Sequence, residues 1–447
     1  MAPPRCRREK LNSTVAEGGV QAADGQRCQR GLPLLGAVPQ AAPYTRNNGM
    51  GECRRGHRQG HRAEVHDNRP ADKVGQGRWL NSQTRRPCRK EVTSFQFFPF
   101  LIFHTGGAEM EPLEIMDEGE GPLVGWCDPD EFREWVRDNK SREMADKTMS
   151  AEEAVSNFIK DGMYVASGGF GHVRVSMNII YEIIRQGVKG LTMAGKTSVH
   201  DLDVLMAAGC VEKVEAAYSF GHELRGLSPA SRRKVEGGEV KVITEWSNAA
   251  LQWRFKAAAM GLPFIPARIL MGTDTFKKSS AKIIRDPYSG KPVTLIPACF
   301  PDVAIIHVHR ADKYGNAQID GILVEDYELA RAAKRLIVTT EEIVPTDKIR
   351  ESPWRTSIPY FLVDAVVEQP FASHPCNMPL LYYFDEEHIA EYLALTRTEE
   401  GAKEYFEKYV YGVNDFWEYL EVVGGSKRLE KLRRIEQLRE RPVYPWR

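Results

Sequence analysis

From Asp128 onward, short apolar runs alternate with segments whose apolar residues recur every three to four positions. Runs of the first kind are typical of buried β-strands, and segments of the second kind are typical of amphipathic helices. Strands that alternate with helices favour an α/β fold with an open, mostly parallel sheet and helices on both faces. The pattern predicts strands over 163–169, 191–196, 214–220, 240–246, 264–270, 293–297, 303–309, 336–344 and 365–370, with helices over 176–186, 201–209 and 248–260.

Two further helices are predicted ahead of the sheet. Phe132, Trp135 and Val136 lie at i, i+3 and i+4, which indicates an amphipathic helix that packs on the main body as an arm. Ser150 and Glu153 have the spacing of a capping box, in which each side chain accepts a hydrogen bond from an otherwise unpaired amide at the helix start.

The chain divides into four predicted regions. They are a disordered basic segment over 1–109, a helical N-terminal arm over 110–145, the α/β domain over 146–384 and a helical C-terminal extension over 385–447. The first region has 18 Lys and Arg against 9 Asp and Glu and few aliphatic clusters, so it cannot bury enough apolar surface to offset the entropy of ordering. We expect the natural folded protein to begin near Met110 or Met116.

Composition narrows the class of protein. The 447 residues carry 61 basic and 61 acidic side chains, so net charge gives no reason to expect nucleic acid or an anionic membrane as a partner. The apolar run from Phe95 to Phe103 is about half of the roughly 18 residues that a membrane helix needs, and it contains Pro99. Eight cysteines without a CxxC pair favour a cytoplasmic location.

The strongest local signal is the double glycine Gly168-Gly169 at the end of a predicted strand, just before Phe170. Glycine lets the backbone approach a ligand closely, and the start of the following helix offers free amides to an anionic or oxyanion-like group. A glycine turn between a strand and a helix is also common for steric reasons alone, so both interpretations stay open.

The segment DGMYVASGGF (161–170) resembles the first-subunit signature of family I coenzyme A transferases. Together with other segments it is similar to the A subunits of the glutaconate CoA-transferase type over roughly 146–425. One position departs, because Ser176 or Met177 stands where the family motif usually has proline. The other segments that agree, in the same order, are LTMAGKTSVHDLD (191–203), AAAMGLPFIP (257–266), VAIIHVHRADKYGNAQIDG (303–321), TTEEIV (339–344) and VDAVVEQPFASHPC (363–376).

This resemblance implies the fold of that family (CoA-transferase, NagB/RpiA-like) and an enzyme that moves CoA between carboxylic acids through a glutamyl-CoA thioester. In two-subunit members the nucleophilic glutamate belongs to a Ser-Glu-Asn-Gly type motif of the B subunit, and this chain has no such motif. We therefore expect a partner B subunit, acyl-CoA and carboxylic acids as substrates, and no permanently bound cofactor. The chain alone is expected to be inactive.

The resemblance places Asn248 where relatives carry an amide beside the reacting carbonyl, so Asn248 is a candidate oxyanion donor. An equal alternative is that Asn248 is the N-cap of helix 248–260, because asparagine is a favoured cap. Glu245, at the end of strand 240–246, is a weaker candidate for a nucleophile or base.

Substrate binding is assigned to residues that follow three neighbouring strands. Arg225 could hold a distal carboxylate of the substrate through two hydrogen bonds, or it could form a salt bridge with nearby acids. Relatives of the glutaconate type have small hydroxyl residues in that loop, which puts glutaconate itself in doubt as the substrate. The predicted set is Gly168, Gly169, Phe170, Lys196, His200, His222 and Arg225.

Three histidines could suggest a metal site. Alternation places His307 and His309 on the same face of strand 303–309, and His374 follows later in the chain. No carboxylate or cysteine completes a recognisable ligand spacing, so we interpret them as core or interface histidines and expect no metal.

Two other functions stay open. CoA-transferase-like proteins of steroid ring degradation are hydrolases that cleave cyclic CoA thioesters, and they carry a glutamate at or near the position of Asn248, so Asn248 favours transfer. A non-catalytic ligand sensor on the same fold is the third possibility, but no helix-turn-helix pattern precedes the domain.

Overall fold

The computed structural model describes residues 114–446, so the basic segment predicted over 1–109 lies outside the described residues. The chain divides into two units, Met1–Leu101 and Ile102–Arg447, and every described residue belongs to the second. The strands of the described part are β1 (Ile115–Glu118), β2 (Tyr164–Ser167), β3 (Leu191–Lys196), β4 (Val211–Ala217), β5 (Lys241–Glu245), β6 (Phe264–Ala267), β7 (Lys282–Arg285), β8 (Pro292–Pro297), β9 (Val303–Val308), β10 (Arg310–Ala311), β11 (Ala317–Gln318), β12 (Arg335–Thr340), β13 (Thr356–Ile358) and β14 (Ala365–Glu368).

Helices connect most of these strands and close the chain. They are α1 (Pro129–Asn139), α2 (Ala151–Phe158), α3 (Met177–Arg185), α4 (His200–Ala207), α5 (Pro229–Glu236), α6 (Asn248–Ala259), α7 (Asp274–Lys277), α8 (Asp326–Ala332), α9 (Thr346–Arg350), α10 (Glu386–Leu395), α11 (Glu399–Phe406), α12 (Phe416–Val422) and α13 (Gly425–Glu436). Short 3₁₀ turns form over Glu223–Arg225, Pro353–Arg355 and Tyr360–Leu362, and a π-helical turn forms over Glu407–Tyr411.

A parallel seven-stranded sheet forms the centre, with the strand order β14-β12-β9-β2-β3-β4-β5. Alternate residues of its strands enter different cores: on β2, Val165 packs into one core, whereas Tyr164 and Ala166 pack into the other. Helices α2 to α5 and α10 to α13 contribute to the first core, and α1 and α6 to α8 contribute to the second. The predicted fold class, a mostly parallel sheet with helices on both faces, is confirmed.

The strand order reverses at the middle of the sheet. The chain runs outward from β2 through β3 and β4 to β5, and it later returns to place β9 on the other side of β2. Open α/β sheets bind ligands outside the carboxyl ends of the strands at such a reversal point. The loops that follow β2 and β9 are therefore in the position where a ligand is expected.

Two strands that we predicted for the main sheet belong elsewhere. β6 and β8 join a separate antiparallel sheet of order β1-β7-β8-β6. Proline explains part of this, because it cannot donate to a sheet ladder: Pro266 lies in the edge strand β6, and β8 begins and ends with proline. The N-terminal arm was predicted to be helical. It contains helix α1, but it also contains the edge strand β1, which was not predicted.

Local helix signals are confirmed at both ends of the domain. The Ser150 hydroxyl accepts a hydrogen bond from the Glu153 amide at 3.0 Å, and the Glu153 carboxylate accepts one from the Ser150 amide at 2.9 Å. After Asp385, which caps α10, the chain is helical in four α-helices as far as residue 436. None of the helices between residues 114 and 446 has the length and apolar character that crossing a membrane requires.

Candidate functional site

Four segments meet at the carboxyl edge of the main sheet around β2. Gly168 and Gly169 follow β2, Thr197 follows β3, and Asn248 opens α6 just after β5. The chain leaves this edge after β9 and returns to it at the start of α8, whose first residue is Asp326.

The double-glycine turn is held by a buried ion pair. The Gly169 amide donates to Asp326 Oδ1 at 3.0 Å, and Arg174 donates to both oxygens of the same carboxylate at 3.0 and 2.7 Å. Gly169 has a φ of +85°, and a Cβ there would lie 2.3 Å from the Val173 carbonyl oxygen. Glycine is therefore required at residue 169 by the close packing of the chain against itself.

The backbone amides of the turn itself are not free. All four amides are used within the chain, because the turn folds against β9, α8 and the end of β3. Substrate binding by Gly168, Gly169 and Phe170 stays a prediction, and it cannot rest on free backbone amides in the turn. The amides of residues 168–171 donate, in order, to the Ile305 carbonyl, the Asp326 carboxylate, the Val173 carbonyl and the Thr197 carbonyl.

Lys196, at the end of β3, forms a buried ion pair with Glu325. Its Nζ donates to Glu325 Oε2 at 2.8 Å and lies 5.2 Å from the centre of the Phe170 ring, which is 38% exposed. Burial raises the pKa of Glu325 to about 8, against the opposing effect of Lys196. Glu325 could not be found from the sequence, because nothing in the local pattern links it to a lysine on a distant strand.

Asn248 is the first residue of α6 and not its N-cap. Ser247 is the cap, since its hydroxyl accepts a hydrogen bond from the Ala250 amide at 3.1 Å. Asn248 Oδ1 accepts from the Thr197 hydroxyl at 2.7 Å, and its Nδ2 has no acceptor among residues 114–446. The capping alternative for Asn248 is wrong, and the oxyanion-donor role remains a prediction with a free donor group.

Glu245 is the last residue of β5 and lies next to the N-terminal arm. Its carboxylate pairs with Lys278 Nζ at 2.7 Å, and together with Glu120 it lines a surface hollow. The next side chain, Trp246, is buried and donates to the Glu215 carboxylate. A catalytic role for Glu245 stays a prediction, and the ion pair with Lys278 would have to open for it.

Arg225 makes the intrachain salt bridge that was one of its two alternatives. It donates to both oxygens of Glu386 at 2.7 and 2.8 Å, and its guanidinium lies 5.0 Å from the Phe384 ring centre. The Arg225 side chain is only 5% exposed. Its hydrogen-bonding groups are thus committed to the start of α10. Substrate binding by Arg225 stays a prediction, and the salt bridge with Glu386 would have to open for it.

The two predicted histidines are completely buried. His222 Nδ1 lies 2.9 Å from Nε2 of His172, a residue of the loop after β2, and His200 lies beside both rings. The rings present no exposed surface to a substrate, and their substrate-binding role stays a prediction.

The histidines first considered for metal binding have other partners. His307 contacts Thr339 and Glu341, His309 contacts the Pro379 carbonyl, and His374 contacts Tyr419 and Asp385.

Comparisons with known proteins give the family. The model of the coenzyme A transferase family matches residues 148–369. The chain is 30% identical over 298 residues to the A subunit of glutaconate CoA-transferase from Acidaminococcus fermentans, which covers 63% of this chain and 93% of that protein. The chain belongs to the coenzyme A transferase family, whose substrate is CoA, and the resemblance seen in the sequence is confirmed.

Other relatives and a solved structure agree. The A subunit of 3-oxoadipate CoA-transferase from Pseudomonas knackmussii is 34% identical over 282 residues, covering 62% of this chain and 99% of its own length. The IpdA subunit of a cholesterol ring-cleaving hydrolase from Rhodococcus jostii is 30% identical over 281 residues, covering 60% and 94%. The crystal structure of the Acidaminococcus fermentans glutaconate enzyme superposes with a TM-score of 0.60 at 31% identity, covering 64% of this chain and 95% of that one.

Proposed function

We propose that this chain is the A subunit of a heteromeric CoA-transferase that moves CoA between carboxylic acids through a glutamyl-CoA thioester on a B subunit. The observation that carries the proposal is that three carboxyl groups at the carboxyl edge are each held by a cationic side chain. Asp326 is paired with Arg174, Glu325 with Lys196 and Glu245 with Lys278. A carboxylate that attacks a thioester must be free, so these contacts favour a nucleophile supplied by the partner.

Asn248 supplies the complementary group. As the nucleophile adds to a thioester, negative charge grows on the carbonyl oxygen, and a fixed neutral donor stabilises that charge. The Thr197 hydroxyl holds Asn248 Oδ1, which leaves Nδ2 free to donate. We infer that this amide forms part of the oxyanion environment of the shared site.

Apolar side chains around the same edge favour a protein partner. Phe170, Tyr218, Leu224, Leu227 and Ile322 are between 38% and 72% exposed, and they lie in loops after β2 and β4 and before α8. A surface that is apolar and rimmed by polar groups is typical of a subunit interface. A B subunit docked here would bring its glutamate to Asn248 and exclude water from the thioester.

Hydrolysis of cyclic CoA thioesters is the second candidate, and the 30% identity to the Rhodococcus jostii hydrolase subunit favours it. The resemblance gives those relatives a glutamate at or near the position of Asn248. An amide cannot act as a base, so Asn248 favours transfer to an acid over attack by water. A non-catalytic ligand sensor is the third candidate, and an absence of acyl transfer with every partner would favour it.

The experiment is acyl exchange by the reconstituted complex. The chain is co-expressed with a B subunit that carries a Ser-Glu-Asn-Gly type motif, and CoA transfer from an acyl-CoA to an added carboxylic acid is followed by mass spectrometry. Borohydride reduction in the presence of acyl-CoA should modify a glutamate of the partner. Modification of Glu245, or activity of the isolated chain, would overturn the proposal, and thioester loss without an acceptor acid would favour the hydrolase.

A cytoplasmic location is also part of the proposal. This location is supported by four cysteines that form no disulfide, as is usual in a reducing compartment. They are Cys127, Cys210, Cys299 and Cys376.

A further inference from the structure

Three histidines from three different loops meet beneath the carboxyl edge of the sheet. His172 follows β2, His200 opens α4 after β3, and His222 follows β4. One ring nitrogen from each lies within 4.8 Å of the others, and the three side chains are buried. The chain thus places three potential ligand atoms of the same chemical type around one point.

Most of the nitrogens in this cluster have no partner. His172 Nε2 and His222 Nδ1 contact each other at 2.9 Å. The other four nitrogens, including both nitrogens of His200, are buried without a hydrogen bond among the described residues. Buried polar atoms in native proteins are nearly always paired, so four unpaired ring nitrogens in one place indicate a missing ligand.

Carboxylates lie behind two of the rings. His222 Nε2 is 3.5 Å from Asp203 Oδ2, and His172 Nδ1 is 3.5 Å from Glu223 Oε2. The Ser231 amide donates to Asp203 at 2.8 Å, which fixes that carboxylate. A histidine that binds a metal through one ring nitrogen usually faces a carboxylate or carbonyl with its other nitrogen. Here His172 Nε2 and His222 Nδ1, which are the nitrogens nearest each other, are also the nitrogens that point away from the carboxylates.

Charge at the cluster is compatible with a cation. Asp203 and Glu223 place two carboxylates next to the three rings, which would balance a divalent ion.

We propose that His172, His200 and His222 bind a transition metal ion, of which Zn²⁺ suits three imidazole ligands best. Zn²⁺ takes four ligands in proteins, so an enclosed water molecule would complete the set. The ion would tie together the loops after β2, β3 and β4 and so stabilise the edge where Thr197 and Phe170 lie. The sequence contains no sign of this cluster, because the three histidines are far apart in the chain and show no ligand spacing.

The first test measures metal content. The full chain is produced with zinc in the medium, passed through gel filtration and analysed by inductively coupled plasma mass spectrometry. We expect close to one zinc per wild-type chain and little in His200→Gln. His309→Gln is the matched control, because His309 is also buried but both of its nitrogens are hydrogen-bonded, and this variant should keep the zinc. Equal zinc in His200→Gln and wild type would overturn the assignment.

A second measurement does not depend on the variant. Chelation should lower the Tm of the wild-type chain, Zn²⁺ should restore it and Mg²⁺ should not. Co²⁺ in place of Zn²⁺ should give the visible absorption bands of a tetrahedral nitrogen-ligated site. A wild-type chain that holds no stoichiometric metal after zinc supplementation, with a Tm that chelation does not change, would overturn the proposal and leave buried water as the partner of these histidines.

Discussion

The Thr197 hydroxyl donates a hydrogen bond to Asn248 Oδ1 at 2.7 Å and thereby links the residue after β3 to the first residue of α6. An asparagine side chain that is anchored through its oxygen keeps its NH₂ group in a fixed direction. Because Ser247 performs the capping of α6, Asn248 is not needed for helix initiation. The link therefore positions a hydrogen-bond donor at the carboxyl edge of the sheet.

Asn248→Ala should reduce turnover of the reconstituted complex without loss of folding. Removing one oxyanion donor typically costs about 2.7–4 kcal/mol in the activation free energy, and the loss should fall on kcat and kcat/KM together. Steady-state kinetics and thermal unfolding of the same preparation check this. Ser247→Ala is the matched control: it should lower stability by about 1 kcal/mol, as loss of a cap does, and leave kcat nearly unchanged. If Asn248→Ala behaves like Ser247→Ala, Asn248 has no part in the chemistry.

Thr197→Val should act through Asn248. Valine has a similar shape but no hydroxyl, so the Asn248 side chain would lose its anchor while keeping its NH₂ group. We expect a fall in kcat smaller than that of Asn248→Ala, and no further fall when Thr197→Val is added to Asn248→Ala. Thr197→Ser, which restores the hydroxyl, should recover kcat. Additive effects in the double variant would show that Thr197 acts independently of Asn248.

Arg225→Ala should reduce stability and leave KM unchanged. Its bidentate bond to Glu386 is buried, and removing one partner of such a pair costs on the order of 3–5 kcal/mol because the other charge stays behind. Urea unfolding measures the loss, and Glu386→Gln should show a comparable one. Arg232→Ala, at an exposed salt bridge with Glu236, is the control and should have little effect. A raised KM for substrates with a distal carboxylate, at unchanged stability, would favour the clamp interpretation.

The sequence predicts the main sheet because its central strands, such as β2, β9 and β12, are buried on both faces and so appear as nearly continuous apolar runs. The VAIIHVH run is β9, and its residues 303–308 are all buried. Strand partners are not predicted by such runs, which is why β6 and β8 were assigned to the main sheet. The pairing of β8 with both β6 and β7 depends on contacts that no local pattern encodes.

The candidate site could be located but not detailed from the sequence. The end of β2 and Asn248 were both singled out by motif, whereas Glu325 and Asp326 come from chain that leaves β9 and returns after two short strands. The Arg225 salt bridge requires the C-terminal helices to dock, a tertiary contact over more than 150 residues of chain. Ion pairs between distant segments depend on the complete fold, and apolar periodicity carries no information about them.

Asp385→Asn should destabilise the chain at neutral pH and less in acid. Burial opposes ionisation of Asp385, but hydrogen bonds from His374 and Arg428 outweigh it and hold its pKa far below the ordinary value of 3.8. A carboxyl whose pKa is lower in the folded state stabilises the fold fully above its unfolded pKa. This contribution starts to fall once the pH drops below the unfolded pKa, and it is lost completely only below the folded pKa. The difference in unfolding free energy between wild type and variant should therefore be smaller near pH 3 than at pH 7 without vanishing. Asp130→Asn, at an exposed aspartate, is the control and should track the wild type at both pH values.

Leu224→Arg should weaken association with the B subunit while leaving the isolated chain as stable as the wild type. Leu224 is 72% exposed in the loop after β4, so a charge there costs the monomer little but would be buried in an interface. We expect a loss on the order of 2 kcal/mol in binding, about 30-fold in Kd, by analytical ultracentrifugation. Tyr288→Ser is the control, because Tyr288 is 98% exposed in the turn between β7 and β8, which belong to the separate antiparallel sheet. Equal affinity of the Leu224 variant and the wild type would place the partner on another surface.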